Sequence, residues 1–316
     1  MQQALYHPEY GYYSSDRAKI GRLGDYFSNV SVGPLFGELL TAQCAEIWER
    51  LGRIEDFVVV EQGAHHAEFA RDVLESAKLR FPQFFDALRY RIVEPFSKLR
   101  NRQVATLQMF GDRVEWRESL DQLETFTGLH FSNELLDSMP VGLRNKFVDF
   151  VGDGFVFVDS TNEQRTNQSQ LEWIERIAAR LQRGFILIVD YGFVRSEFRE
   201  MVQVRAKQLL LESPFEQIGQ ADITAHINWT DIGEYAGKNG LKICGFTDQH
   251  HFLTGILSDR PQIVVDEKSK RALQTLLHPE MLGRSFQVLG LAKDVDVEPP
   301  LSGFKFARDA RKSLGL

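Results

Sequence analysis

Apolar and polar positions change period repeatedly along this chain, and the changes mark its elements. Phe57-Val58-Val59-Val60 is a short β-branched run that breaks at Glu61-Gln62-Gly63-Ala64-His65-His66-Ala67, a small-residue turn before a helix-like segment. That reads as a strand, a loop and a helix start. Glu68 to Lys78 follows with Phe69, Ala70, Val73, Leu74 and Ala77 at helical spacing. Further β-like runs are Leu88 to Glu94, Arg113 to Trp116 and Gly128 to Ser132, and Pro95 stands where a helix can begin, continued by Leu99 to Leu107. Phe185 to Asp190 is apolar until its last residue, as expected of a strand buried on both faces. Its preceding helix is Leu171 to Arg183. The β-α-β-α-β alternation predicts an α/β fold with a parallel sheet and helices on both faces. Beyond it, Thr230 to Asn239 reads as a helix closed by Gly240, and Leu241 to Thr247 and Ser285 to Ala292 as two closing strands.

Two segments interrupt the alternation. Asn145 to Ser160 carries Gly152-Asp153-Gly154 between two alternating runs and predicts a hairpin. Phe193 to Ala225 reads as a long polar connection, and long loops inside compact domains tend to be functional or mobile. The expected organisation is an N-terminal extension with a cover helix over residues 1–55, then one sheet domain over 56–316 with insertions near 141–165 and 193–228.

Composition narrows the function classes. A 316-residue chain that is 43% apolar and 26% charged can bury a large core. No apolar run approaches the ~20 residues of a membrane span, and the first residues carry no secretory-signal pattern, so cytoplasmic residence is the expectation. A net charge of −7 without a basic block argues against non-specific nucleic-acid binding. Cys44 and Cys244 lack metal-ligand spacing and read as two buried thiols. His65-His66 with Glu68 has no third ligand at a recognisable spacing, so no metal is expected. Hydrolase elbows, zinc-protease motifs and phosphate loops are missing.

Ligands of open α/β sheets bind beyond the carboxyl ends of the strands. Glu61 ends the first strand. Glu94 ends the second, where an acid can accept hydrogen bonds from both ribose hydroxyls of an adenosine cofactor; its bland alternative is a neighbour of a helix start before Pro95. Asn133, Glu134 and Asp137 follow the fourth strand. If Asn133 to Ser138 forms a helical turn, Glu134 and Asp137 share a face and two carboxylates can hold a guanidinium and help remove its proton. Asp190-Tyr191-Gly192 closes the fifth strand, and His226 ends the long connection as a histidine more often structural than catalytic. Five alternating strands, a helix and two closing strands are the layout of class I, seven-strand Rossmann-like methyltransferases, in which the last strand inserts antiparallel. A nicotinamide dehydrogenase would continue with a sixth parallel strand and a catalytic domain.

The same residues carry a family resemblance. Ala4-Leu5-Tyr6-His7-Pro8-Glu9-Tyr10-Gly11-Tyr12-Tyr13, Gly24-Asp25-Tyr26-Phe27-Ser28 with Phe36-Gly37-Glu38-Leu39-Leu40, Asn133-Glu134-Leu135-Leu136-Asp137, Asp190-Tyr191-Gly192 and Asp222-Ile223-Thr224-Ala225-His226 resemble the signature blocks of the MidA-like family, in family order. His278-Pro279-Glu280-Met281-Leu282-Gly283 continues that order before the last strand. The resemblance implies an S-adenosylmethionine-dependent methyltransferase related to mitochondrial protein arginine methyltransferases that assist complex I assembly. It implies S-adenosylmethionine as cofactor, held by Glu61, Gly63, Ala64, Glu94 and Asn133, with Glu134 orienting substrate and Asp137 helping. The implied partner is a protein substrate or assembly client, and the oligomeric state stays open. The Gly24 to Ser28 block corresponds to a cover over the cofactor pocket.

The chain also departs from the family pattern. Where the family loop resembles Glu-Leu-Gly-Pro-Gly-x-Gly, His65 and Ala67 take the second and third glycine places, and a Cβ there would crowd the cofactor or demand a costly positive φ. Arg205 to Gln220 keeps little of the family's pattern after strand five. A weakened or inactive member serving as an assembly or binding module is therefore the alternative expectation. Met1 falls where the family has an internal Met, so a further N-terminal helix is expected to precede it.

Overall fold

The computed structural model describes residues 1–15, 28–142, 146–159, 166–199, 201–207, 209–264 and 266–316. Its centre is a seven-stranded sheet of β1 (Phe57–Gln62), β2 (Leu88–Val93), β3 (Val114–Arg117), β4 (Phe126–Asn133), β5 (Leu181–Asp190), β6 (Lys242–Asp248) and β7 (Gln287–Lys293). The spatial order is β6-β7-β5-β4-β1-β2-β3. β7 runs antiparallel to both of its neighbours, whereas β5, β4, β1, β2 and β3 are parallel. This is the class I Rossmann-like arrangement.

The period-two pattern of β1 sorts its side chains between the two layers. Phe57 and Val59 enter one apolar core, Val58 and Val60 the other, and all four are buried. The first core is closed by α1 (Leu35–Arg50) and α2 (Glu68–Arg80), the second by α4 (Gln168–Arg180) and α5 (Trp229–Lys238), while α3 (Ser97–Leu107) connects β2 to β3. Between β6 and β7 the structure adds two helices, Gln249–Asp259 and Glu267–Leu277.

Within the N-terminal extension, α1 is buried on most sides and packs into the first core. Several expectations are corrected. The expected helix to Arg183 stops at Arg180, because Leu181 turns extended and pairs with Phe126. The segment after β5 is not simply a polar loop. It folds into a three-stranded antiparallel sheet of Val202–Ala206, Leu209–Leu210 and Asp222–Ala225. Val204, Ala206, Ala221 and Ile223 bury there against Leu5 and Tyr12 of the N-terminal segment. The hairpin forms as Lys146–Val151 and Gly154–Asp159, its expected ends Asn145 and Ser160 lying outside the described residues. Cys44 is buried, Cys244 is half-buried, and both are free thiols. No helix among the described residues is long and apolar enough to cross a membrane.

Close approach at the sheet centre depends on two glycines. A Cβ on Gly128 would lie 2.1 Å from the Val58 carbonyl oxygen, and one on Gly184 would lie 1.9 Å from that of Gly128. Only glycine lets the strand backbones meet there. Gly128→Ala and Gly184→Ala should each cost about 3 kcal/mol or prevent folding, whereas Gly154→Ala, in open space, should stay within about 0.5 kcal/mol. Urea unfolding of the three variants checks this, and equal midpoints would contradict it.

Candidate active site

A cavity of about 840 Å³ opens beyond the carboxyl ends of β1, β2 and β4. The sheet order reverses between β1 and β4, which is where open α/β folds form a ligand crevice. Glu61, Gly63, Ala64, Glu94, Asn133 and Glu134 all line the cavity, so the structure brings these sequence-derived candidates together. Asp137 does not line it.

The loop after β1 holds three residues in the left-handed region: Gly63 at φ 83°, His65 at 44° and Ala67 at 63°. The backbone therefore keeps a path that glycine would favour, at the two places where this chain has side chains instead. Ala67 donates its N–H to the Ala64 carbonyl at 2.6 Å and caps α2, whose N-cap makes no side-chain hydrogen bond. Gln103 of α3 ties the loop to its neighbours by three hydrogen bonds. Its amide nitrogen donates to the His65 carbonyl at 2.9 Å and to the Glu94 carboxyl at 2.9 Å, and its oxygen accepts from Trp116 at 3.0 Å.

Glu94 also accepts from the Phe96 N–H at 3.0 Å. It is thus both a helix-start neighbour and a cavity-facing acid, and burial raises its carboxyl to about 7. Glu61 accepts from the Tyr90 hydroxyl at 2.6 Å, and burial raises it to about 8.

Glu134 and Asp137 do not share a helical face. The segment after β4 is a turn in which Glu134 has φ 53° and donates its N–H to the Val189 carbonyl at 2.9 Å, which anchors it to β5 and breaks any helical repeat. Glu134 accepts from Asn133 at 2.9 Å and from the Tyr191 hydroxyl, and burial raises its carboxyl to about 7. Asp137 turns behind the wall, where its Oδ1 has no hydrogen-bond partner among the described residues. Asp190 accepts there from the N–H groups of Leu136 at 2.9 Å, Asp137 at 3.3 Å and Tyr191 at 2.8 Å. Burial raises both carboxyls; the charge of Asp190 adds to the shift of Asp137, and that of Glu134 to the shift of Asp190. Asp137 thus belongs to a buried pair with Asp190, and the geometry gives it no access to a substrate.

Residues from before β1 roof the cavity. Tyr6 stacks at 6.3 Å on Phe96 and donates to the Ser138 carbonyl at 2.9 Å, Tyr13 donates to Asp222 at 2.6 Å, and Asn29 donates to Asn133 at 2.9 Å. Ser28 of the expected cover block lines the cavity, while residues 24–27 lie outside the described residues. Among these partners, Tyr6, Tyr13 and Tyr191 fall inside the recognised sequence blocks. Gln103, Tyr90 and Asn29 carry no local signal, since their roles arise from packing across elements.

The histidines divide by environment. His65 is driven to about 3 by burial, then by His66 and Arg102, and so stays neutral. His66 Nε2 lies 2.8 Å from the Arg102 guanidinium, which has donors only, so that nitrogen accepts. His65, His66 and Glu68 bring possible ligand atoms within 4.8 Å of one another, but Arg102 already places a cation against the cluster. His226 sits with its ring 5.0 Å from Phe193, away from the cavity.

Residues 39–164 and 158–247, together more than half of the chain, match the family model described as "Putative S-adenosyl-L-methionine-dependent methyltransferase". The chain is 23% identical to the human mitochondrial protein arginine methyltransferase NDUFAF7, with 99% of this chain and 82% of that protein covered. Identity to the Drosophila melanogaster homolog is 24%, over 92% and 80% of the two chains. A crystal structure of a COG1565 superfamily member from Burkholderia thailandensis bound to S-adenosyl-homocysteine superposes with a TM-score of 0.86 at 24% identity, covering 98% of this chain and 90% of that one. That likeness is one of fold.

The buried carboxyls make stability depend on pH. Glu61, Glu94 and Glu134 hold their protons to about 8, 7 and 7 when folded, against about 4.3 for an unfolded glutamate. The folded chain binds more protons across that window, so stability is fully present below the unfolded value and is lost as pH rises towards 8. The ligand-free protein should melt at a lower temperature at pH 8.5 than at pH 6, and Glu61→Gln should remove up to about 1.4 kcal/mol per pH unit of that slope. Thermal unfolding followed across this pH range is the check, and a melting temperature that rises with pH would refute it.

Proposed function

The chain belongs to the family of S-adenosyl-L-methionine-dependent methyltransferases, and from that premise we propose that it methylates a protein side chain, with the arginine guanidinium as acceptor. The observation that carries this reading is the placement of Glu94 and Glu134 on the walls of one cavity, each with a carboxyl held by donors from neighbouring elements.

The residues present fit the cofactor. The cavity falls within the ~300–1,000 Å³ typical of small-molecule sites, and His65 and Ala67 have not closed it. Val93, Phe96, Leu99 and Leu135 offer apolar wall for a purine, Glu94 offers acceptor lone pairs to ribose hydroxyls, and Glu61, Gly63 and Ala64 provide the adjoining loop with Asn133 beside it. S-adenosylmethionine, when bound, supplies an electrophilic methyl group on a sulfonium centre. The chain's own contribution is positioning. Glu134 faces the cavity and, once ionised, can hold a guanidinium by paired charge-assisted hydrogen bonds. Its carboxyl, near 7, is matched to taking up a proton near neutrality. The relatives named protein arginine methyltransferases support the choice of acceptor. The inactive-module alternative is weakened by the loop, whose left-handed backbone persists despite the missing glycines.

Calorimetric titration with S-adenosylmethionine and S-adenosylhomocysteine, with NAD as control, tests the cofactor. Binding of roughly micromolar strength for both sulfur nucleotides and none for NAD is expected, with loss in Glu94→Ala. No binding by a folded chain would overturn the reading. Because Glu94 must ionise to accept from two hydroxyls, affinity should rise about tenfold between pH 6 and pH 8 and become flat in Glu94→Gln. In a labelled-methyl assay, Glu134→Gln should keep cofactor affinity while transfer to arginine falls about 100-fold; unchanged transfer would remove Glu134 from the mechanism.

A further inference from the structure

The hairpin Lys146–Val151/Gly154–Asp159 has the opposite composition to a solvated arm. Phe147, Phe150, Phe155 and Phe157 are all exposed, Phe150 by 59%, and three valines are exposed beside them. The register puts Val148, Phe150, Phe155 and Phe157 on one face, and Phe147, Asp149, Val156 and Val158 on the other. Phe215, from the connection beside the small sheet, covers part of the first face, with ring centroids 4.8 Å from Phe157 and 6.1 Å from Phe155. Among the described residues neither outer strand edge is paired. A two-stranded ribbon is at best marginal in water, and contiguous exposed apolar area of this kind marks an interaction surface.

Position and charge identify the occupant. Met139 and Pro140, immediately before the insertion, line the cavity, and two residues further on the Gly142 N–H donates to the Thr166 carbonyl at 2.8 Å, drawing the insertion's two ends together. The hairpin carries one lysine, Lys146, and three aspartates, Asp149, Asp153 and Asp159. A second copy would bring like charge to like charge, and an acid in mid-strand such as Asp149 opposes edge-to-edge self-pairing. A cationic chain is attracted instead.

We propose that this hairpin docks an extended, cationic segment of the protein substrate. The segment would add as a further strand, setting alternate apolar residues among the phenylalanines and a basic residue beside Asp149 on the opposite face, and so bring an arginine towards the cavity. This rests on the protein-methylation reading above. The probe is a fluorescein-labelled ten-residue peptide of alternating valine and arginine, with a valine–glutamate peptide as control, titrated by anisotropy against the full chain. The arginine peptide should bind and the glutamate peptide should not. Affinity should fall at least tenfold both in Phe150→Ser/Phe157→Ser and in Asp149→Lys, which leaves the apolar face whole, while S-adenosylmethionine affinity in calorimetry stays unchanged. Binding undiminished in both variants, or equal binding of the two peptides, would overturn the proposal. So would absence of peptide binding together with a dimer in sedimentation velocity that Phe150→Ser/Phe157→Ser dissociates, which would assign the surface to a second copy. Loss of cofactor binding by the unaltered chain would instead strike the methyltransferase reading, so the two failures are distinguishable.

Discussion

Carboxyl groups gathered at the carboxyl edge of the sheet, away from bulk water, impose the constraint around which the rest of this protein is arranged. Glu61, Glu94, Asp137, Asp190 and Asp222 are buried there, and Glu134 lies partly buried beside them. A buried carboxyl is costly unless it keeps its proton or receives hydrogen bonds. Each donor comes from a different part of the chain: Tyr90 from β2, Gln103 from α3, Asn133 and Tyr191 from the ends of β4 and β5, and Tyr13 from the N-terminal segment. Satisfying the acids therefore fixes the elements that surround the cavity, and structure and chemistry use the same hydrogen bonds.

The loop after β1 shows a second consequence. Holding His65 and Ala67 in the left-handed region costs about 1–2 kcal/mol each, a strain that persists only where surroundings over-determine it. Ala67 is fully buried and returns part of that cost through its methyl group, about 0.8 kcal/mol. Gln103 holds the His65 carbonyl and Glu94 with one amide group. Loop geometry and the acid after β2 are thereby coupled, which is how the backbone path survives without the glycines.

The additions to the sheet divide the remaining tasks. The small antiparallel sheet after β5 gives Leu5 and Tyr12 a place to bury, and so fastens the N-terminal roof to the cavity. The hairpin after β4 buries little of its own apolar surface and follows within a few residues the Met139-Pro140 segment that lines the cavity. One insertion anchors the N-terminal segment, and the other presents an exposed apolar surface.

The sequence by itself determined the elements whose patterns are local. The β-branched run of β1, the helical spacing of Phe69, Ala70, Val73, Leu74 and Ala77, and the apolar β5 predict a parallel sheet because each encodes its own burial pattern. Glu61, Glu94, Asn133 and Glu134 were legible as candidates because strand ends are legible, and the structure places all four on the cavity beyond those ends. Tertiary structure alone decided what depends on partners distant in sequence. It placed Asp137 against Asp190 rather than beside Glu134, since the turn after β4 is anchored by Val189 of β5. It gave the segment after β5 its sheet and let Gln103 reach both His65 and Glu94. Periodicity reports which side of an element is buried, but not against what, and a hydrogen bond between distant residues has no period to read.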